Sequence, residues 1–128
     1  MQQVILLMRF GSVKRIMKLL IVEDNLDFRK ILKELFSEHF KRIYETSSGK
    51  EAIQKYKMGR PDWVFMDIGI EELDGISTTK EIIKAFPNAK IVIVSQYNEQ
   101  KIIDKAKDAG AKDYVVKQDI SRLFEIIA

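Results

Sequence analysis

Cysteine is absent from this chain of 128 residues, and histidine occurs once, at His39. Without cysteine the protein has no disulfides, no thiolate metal ligands and no thiol nucleophile, a composition that fits a reducing cytoplasm. One histidine is too few for a metal site built from imidazoles, and it argues against a conventional catalytic triad. We interpret His39 as a surface residue.

Net charge is also lacking once the first residues are set aside. The formal charge is +3, and Arg9, Lys14 and Arg15 carry all of it within residues 1–16, which contain no acid. Three of the 22 basic residues lie there, which leaves 19 basic and 19 acidic residues from Met17 onward. A neutral domain with interspersed signs is a poor match for a phosphate backbone, so we expect no direct nucleic-acid binding.

Long hydrophobic runs are missing as well. The longest near the start is Val4 to Met8, which is far too short for a membrane span or an export signal. We therefore expect a cytoplasmic protein without membrane contact. Residues 1–16 form an N-terminal extension, which we interpret as an artefactual upstream start or, alternatively, as an added arm that packs on a neighbour. Residues 17–128 are predicted to form one domain.

Short, wholly apolar runs recur along that domain and predict strands that are covered on both faces. A half-polar run is a weaker candidate, typical of a sheet edge. The four apolar runs are Leu19–Val22, Trp63–Met66, Ile91–Val94 and Tyr114–Val116, and the half-polar run is Arg42–Glu45.

Amphipathic segments between these runs predict five helices. They cover Leu26–Phe40, a segment from the cap Ser48 to Gly59, Ile76–Ala85, Glu99–Ala109, and a last helix that begins near Ser121 and is interpreted as truncated by the chain end. Strand–helix units repeated five times predict an α/β fold, a single doubly wound five-stranded parallel sheet with helices on both faces.

The residue that ends each strand is the one to examine, because open parallel sheets bind ligands outside the carboxyl ends of their strands. The first strand ends in Glu23 and Asp24, the third in Asp67, the fourth in Ser95 and the fifth in Lys117. Each residue alone has an ordinary explanation as a helix cap, an Asx turn or a solvated lysine.

Together these residues indicate more specific chemistry. Three carboxylates gathered at one rim repel one another unless a cation joins them, and oxygen ligands without histidine or cysteine point to Mg²⁺. A lysine and a hydroxyl beside that metal are what a phosphoryl group needs, and a carboxylate can itself be the nucleophile. These residues therefore indicate a Mg²⁺-dependent phosphoryl acceptor or a phosphatase.

Four motifs carry a resemblance to a known family. KLLIVEDN, WVFMDIGIEELDG, IVIVSQY and AGAKDYVVKQD stand in the order and spacing of the CheY-like receiver domains of two-component response regulators. The resemblance covers Met17 to the end and implies a flavodoxin-like strand order of 2-1-3-4-5. It implies that Asp67 is the phosphoacceptor, Asp24 a direct metal ligand, Glu23 a ligand acting through water, and the Gly69 backbone carbonyl a further ligand.

The same resemblance assigns roles to other residues. Lys117 is expected to contact the phosphoryl group, and Ser95 to hydrogen-bond it. Tyr114 occupies the place of the switch aromatic, which turns inward as the hydroxyl residue moves. Gly69 and Tyr97 stand where the family tunes phosphoryl lifetime, and we expect slow self-dephosphorylation. Mg²⁺ is the expected cofactor, and Mn²⁺ could substitute.

The resemblance also implies partners. The phosphoryl group is expected from a sensor histidine kinase or a phosphotransfer protein. The surface of the fourth helix, fifth strand and fifth helix is expected to meet an output domain, a partner protein or a second copy in a homodimer. The protein is then a switch that assists its own phosphorylation and dephosphorylation rather than a turnover enzyme.

Two departures from the family pattern stand out. Glu71 lies near the usual proline of the loop after the phosphoacceptor, so we expect that loop to be more mobile and more acidic. Gln118 follows Lys117 in place of a frequent proline. Both features resemble receivers attached to helix-turn-helix transcription regulators.

Three alternatives stay open. An aspartate-nucleophile phosphohydrolase would carry an Asp-x-Asp motif on the first strand, whereas this strand ends Glu23-Asp24-Asn25-Leu26-Asp27. A degenerate receiver would act only as a protein-binding module and would not bind Mg²⁺. A flavin carrier of similar fold would need a phosphate cradle rich in Ser, Thr and Gly in the first loop.

Overall fold

The chain alternates strands and helices throughout the part described by the computed structural model, residues 17–128. The interpretation of residues 1–16 as an extension lies outside these described residues. The strands are β1 (Lys18–Val22), β2 (Arg42–Thr46), β3 (Trp63–Met66), β4 (Ile91–Ser95) and β5 (Asp113–Val116). The helices are α1 (Leu26–Phe36), α2 (Gly49–Gly59), α3 (Gly75–Ala85), α4 (Gln100–Asp108) and α5 (Arg122–Ile127), and a 3₁₀ turn at Lys117–Asp119 precedes α5.

The five strands form one parallel sheet in the order β2-β1-β3-β4-β5. This confirms the predicted doubly wound architecture and the strand order implied by the family resemblance. The central strands β1, β3 and β4 are almost entirely buried, which is why their sequences are continuously apolar. The order reverses between β1 and β3, so the site is expected at the carboxyl ends of these two strands.

Two hydrophobic cores cover the two faces of the sheet. One core joins alternate strand residues such as Leu20 and Met66 to helices α2, α3 and α4. The other joins the intervening residues, such as Ile21 and Phe65, to α1 and α5. Successive residues of one strand therefore face different cores, as the period of two in an extended chain requires.

The first helix is shorter than the sequence predicts. We expected Leu26–Phe40, but α1 ends at Phe36, and residues 37–39 form a turn in which the N–H groups of His39 and Phe40 both point back to the Phe36 carbonyl. Phe40 continues the helical spacing and is 3% exposed, yet it reaches the core from the turn. His39 is exposed, as expected, and its ring packs against Phe36 and Phe124.

The other boundaries differ from the predicted ones by one residue at most, apart from the 3₁₀ turn at Lys117–Asp119, which the sequence pattern did not predict. Trp63 packs in the sheet as expected and is 4% exposed. None of the helices within residues 17–128 is both long enough and apolar enough to cross a membrane.

Candidate functional site

Three carboxylates meet at the carboxyl end of the sheet. Glu23 and Asp24 follow β1, and Asp67 follows the neighbouring strand β3. One carboxylate oxygen from each residue lies within 4.8 Å of the others. The parallel register places these strand ends side by side, since Val22 pairs with Met66 directly before the site. The structure therefore brings together the three acids that the strand-end argument singled out.

Lys117 reaches this acidic group from the end of β5. Its Nζ lies 3.0 Å from Glu23 Oε1 and 3.7 Å from Asp67 Oδ2. The lysine side chain is 22% exposed, so it is partly withdrawn from water while one side stays open. A cation between two buried carboxylates offsets part of their mutual repulsion.

Glu23 is the most deeply buried of the acids, at 2% exposure. Burial raises the pKa of Glu23 to about 7, against the opposing effect of the Asn25 N–H, which donates to Oε2 at 3.0 Å. The value of about 7 also includes the negative charge of Asp67, which raises the pKa, and the contact with Lys117, which lowers it. In the metal-free protein the raised pKa therefore brings the titration of Glu23 close to neutral pH.

The first turn of α1 shapes the loop that presents Glu23 and Asp24. Asn25 caps the helix, because its Oδ1 accepts a hydrogen bond from the Phe28 N–H at 2.9 Å. Arg29 donates from Nη1 to the Glu23 carbonyl at 3.0 Å and pairs through Nε with Glu45 of β2 at 3.2 Å. The helix start therefore fixes the backbone on both sides of the acidic pair.

Asp67 is held with its two oxygens in different environments. Its backbone N–H donates to the Val22 carbonyl at 2.9 Å, and its Oδ1 accepts from the Ile68 N–H at 2.9 Å. Oδ2 is the oxygen that faces Lys117. The side chain is 11% exposed, so Asp67 is oriented by protein contacts and stays partly accessible.

The loop after Asp67 is attached to the loop between β2 and α2. Glu71 and residues 47–49 exchange two backbone hydrogen bonds, and the hydroxyls of Ser47 and Ser48 contact the carboxylates of Glu71 and Glu72. The expected acidity of this loop is carried by Glu71 and Glu72, whereas its expected mobility stays a prediction.

The acidic group, Lys117 and Tyr97 line a small cleft, and Ser95 and Tyr114 are buried behind it. Ser95 is fully buried, and its Oγ accepts a hydrogen bond from the Tyr97 N–H at 3.1 Å. The Tyr114 hydroxyl donates to the Tyr97 carbonyl at 2.8 Å, and burial raises the pKa of this tyrosine. Ser95 does not line the cleft. It is connected to the surface through the backbone of Tyr97.

The cleft between these elements has a volume of about 200 Å³. Sequence reasoning singled out six of its lining residues and missed Asn25 and Gln96, which adjoin Asp24 and Ser95 and could have been found as neighbours of strand ends. A β-carbon at Gly69 would meet no atom within 4 Å, so the cleft is open there. The lining consists of Glu23, Asp24, Asn25, Asp67, Gly69, Gln96, Tyr97 and Lys117.

This arrangement suits a hard divalent cation and an anion side by side. Carboxylate and carbonyl oxygens without nitrogen or sulfur donors are the ligands that Mg²⁺ prefers, and Mg²⁺ needs only one or two protein carboxylates. An ammonium group beside such a site can neutralise a phosphoryl oxygen. The residues present therefore fit Mg²⁺.

Sequence comparison relates the chain to one family. The profile of a family described as "Response regulator receiver domain" matches residues 19–128. The chemotaxis protein CheY of Thermotoga maritima is 42% identical over 101 residues, which cover 78% of this chain and 84% of that protein.

Structural comparison gives the same group of proteins. A CheX–CheY–BeF₃–Mg²⁺ complex from Borrelia burgdorferi superposes with a TM-score of 0.79 at 28% identity, covering 88% of this chain and 90% of the matched one. A DNA-binding response regulator of the LuxR family from Staphylococcus aureus gives a TM-score of 0.80 at 28% identity, over 88% and 96% of the two chains.

Proposed function

The chain belongs to the response regulator receiver domain family, and on that premise we propose that it is a phosphorylation-dependent signalling switch in which Asp67 accepts the phosphoryl group. The observation that carries the proposal is the contact of Lys117 with both Glu23 and Asp67 at the rim where the three carboxylates meet. Receiver domains of this kind are switches rather than turnover enzymes.

The transfer exchanges one bond for another. A carboxylate oxygen of Asp67 forms a bond to phosphorus while the phosphorus–nitrogen bond of a donor phosphohistidine breaks. The imidazole leaves with that electron pair, and it leaves as a neutral base because its other ring nitrogen carries the proton. Oδ2 is the better placed nucleophile, since Oδ1 is engaged by the Ile68 N–H.

Mg²⁺, or Mn²⁺ in its place, would be held by Asp24, Asp67 and the Gly69 carbonyl, with Glu23 acting through water. When bound, it supplies positive charge that offsets the charge of the phosphoryl oxygens and of the acids. Lys117 supplies a second positive group from the side of β5. The proximity of the three carboxylates supports this ligand set.

Ser95 and Tyr114 are proposed to transmit the change. The Ser95 hydroxyl would leave the Tyr97 N–H to donate to the phosphoryl group, and the movement would shift the Tyr97 carbonyl that accepts from Tyr114. Ser95 lies on β4 and Tyr114 on β5, the strands before and after α4. Phosphorylation can therefore shift this part of the domain between two conformations. Gly69 and Tyr97 are proposed to set the lifetime of the phosphoryl group.

The partners follow from the same proposal. A sensor histidine kinase or a phosphotransfer protein would supply the phosphoryl group. The surface of α4, β5 and α5 would meet an output domain, a partner protein or a second copy of this chain. The type of output stays a prediction, since the similar proteins include a chemotaxis CheY and a DNA-binding regulator.

Incubation with acetyl phosphate and Mg²⁺, followed by intact mass measurement, tests the proposal. We expect the wild-type protein to gain one phosphoryl group, and Asp67→Asn or chelation of Mg²⁺ to abolish the gain. Asp74→Asn is the matched control, because it removes one carboxylate charge but keeps the cap of α3, where Asp74 Oδ1 accepts from the Ser77 N–H.

The other outcomes separate the alternatives. Steady release of phosphate at many turnovers would favour the phosphohydrolase. Absence of both mass gain and Mg²⁺ binding would favour a degenerate receiver that acts only as a binding module.

A further inference from the structure

We propose that Phe28 is a positioning residue for Lys117, holding its ammonium group over the face of an aromatic ring beside the phosphoacceptor. The inference rests on the proposed function, because it concerns how Lys117 is presented to the phosphoryl group. Phe28 would then contribute to the site although it neither binds Mg²⁺ nor contacts the phosphoryl group.

The contact itself is specific. Lys117 Nζ lies 4.4 Å from the centroid of the Phe28 ring, within the range of a cation–π interaction. The same nitrogen lies 3.0 Å from Glu23 Oε1. The ammonium group is thus held between a neutral ring and a buried carboxylate, with Asp67 Oδ2 a little further away at 3.7 Å.

Phe28 is itself fixed by the start of α1. Its N–H donates to Asn25 Oδ1, and the Asn25 N–H in turn donates to Glu23 Oε2. The half-buried ring packs against the core on the α1 side of the sheet. A closed cycle of contacts therefore joins Glu23, Asn25, Phe28 and Lys117. A shift of the first turn of α1 would move the aromatic ring that contacts the lysine.

A neutral support has an advantage that a carboxylate lacks. A lysine has a long flexible stem, so its ammonium group needs a second contact to stay in one place. A divalent cation would also interact with Asp67 directly and with Glu23 through water, and the contacts of these carboxylates with Lys117 would then weaken. The phenyl ring of Phe28 is uncharged and would not bind the divalent cation. Phe28 can therefore hold Lys117 whether the carboxylates contact the lysine or the divalent cation.

The first measurement is the second-order rate constant for phosphorylation by acetyl phosphate at saturating Mg²⁺. Phe28→Leu keeps an apolar side chain and removes the ring face, and it should lower this constant about fivefold, equivalent to about 1 kcal/mol. Phe28→Tyr should retain the wild-type constant. Mg²⁺ affinity should stay within about twofold of wild type in both variants, since Phe28 supplies no ligand.

The second measurement needs neither metal nor phosphodonor. The Lys117 CH₂ next to Nζ should show an upfield ring-current shift in the NMR spectrum of the metal-free protein, assigned by its loss in Lys117→Arg. Phe28→Leu should remove the shift and Phe28→Tyr should keep it. Phe40→Leu is the matched control, because Phe40 belongs to the same core, is 3% exposed and is not a ring contact of Lys117.

The two measurements keep the inference separate from the proposed function. Failure of the wild-type protein to gain a phosphoryl group would contradict the function, while the NMR shift would still test the contact. An unchanged rate in Phe28→Leu would overturn the inference, and so would a loss of Mg²⁺ affinity that parallels the loss of rate. In a Lys117→Ala background, Phe28→Leu should cause no further loss, and an additive loss would also overturn it.

Discussion

Raising the pH should strengthen Mg²⁺ binding, with a midpoint set by Glu23. Burial raises the pKa of this carboxyl to about 7 in the metal-free protein. A divalent cation beside Glu23 favours the ionised carboxylate even when the two interact through water, so binding of the cation should release the proton that Glu23 holds. Replacing Glu23 by Gln removes the titration while retaining a side chain of the same shape.

The expected magnitude follows from that pKa. A group with a pKa of about 7 is about 9% ionised at about pH 6 and about 91% ionised at about pH 8, so the apparent affinity should rise about tenfold over this range. At the lower pH, close to one proton should be released for each ion bound. Glu23→Gln should bind Mg²⁺ more weakly, with an affinity that changes little over the same range.

The same titration should appear in the stability of the metal-free protein. The folded pKa is raised from 4.5 to about 7, so the folded state binds more protons than the unfolded state between these values. The stability contributed by the protonated carboxyl is therefore fully present below about pH 4.5 and is lost as the pH rises through about 7, by on the order of 3 kcal/mol. Excess Mg²⁺ should restore stability at the higher pH.

Calorimetric titration of Mg²⁺ in buffers of different ionisation enthalpy measures both affinity and proton release. Urea unfolding of wild type and Glu23→Gln over the same pH range measures the stability difference. Glu34→Gln, on the exposed side of α1, controls for the loss of one negative charge. A wild-type affinity that is flat between the two pH values, or an equal slope in Glu23→Gln, would refute the reasoning.

Three further predictions concern stability and lifetime. Gly75→Ala should destabilise the fold by about 2–3 kcal/mol in urea unfolding, because its β-carbon would lie 2.0 Å from the Asp67 carbonyl oxygen; an unchanged midpoint would contradict this close approach. Thr79→Val should be neutral or stabilising by up to about 1 kcal/mol, since the Thr79 hydroxyl is buried without a hydrogen-bond partner among the described residues. Thr78→Val is its control and should destabilise by about 1 kcal/mol, because the Thr78 hydroxyl donates to the Asp74 carbonyl. The acyl phosphate should decay slowly, and Tyr97→Ala should shorten its lifetime; decay of the wild-type phosphoprotein within seconds would show that Tyr97 gives no protection.

Much of the fold could be predicted because buried parallel strands leave an unambiguous pattern. The run Trp63–Met66 has the same bounds in sequence and structure, since both faces of β3 are covered. The end of α1 could not be predicted in the same way. Phe36 and Phe40 keep helical spacing, and no glycine or proline marks the turn between them, so only tertiary packing decides that the helix stops first.

The site could be predicted to the extent that it depends on strand ends. Glu23, Asp24 and Asp67 come together because parallel strands end at one edge. The contact between Lys117 and the Phe28 ring could not be predicted, because it joins two distant parts of the chain and depends on the conformation of the lysine side chain. The burial of Ser95 behind the Tyr97 backbone likewise depends on the path of a loop.

Identification of the residue that carries the phosphoryl group tests the account most directly. After incubation with acetyl phosphate and Mg²⁺, reduction with borohydride converts a phosphorylated aspartate to homoserine, and peptide mass mapping locates it. We expect homoserine at residue 67, and at none of the other acids. Recovery of unmodified Asp67 together with homoserine at Asp24, or at an acid outside the cleft, would contradict it.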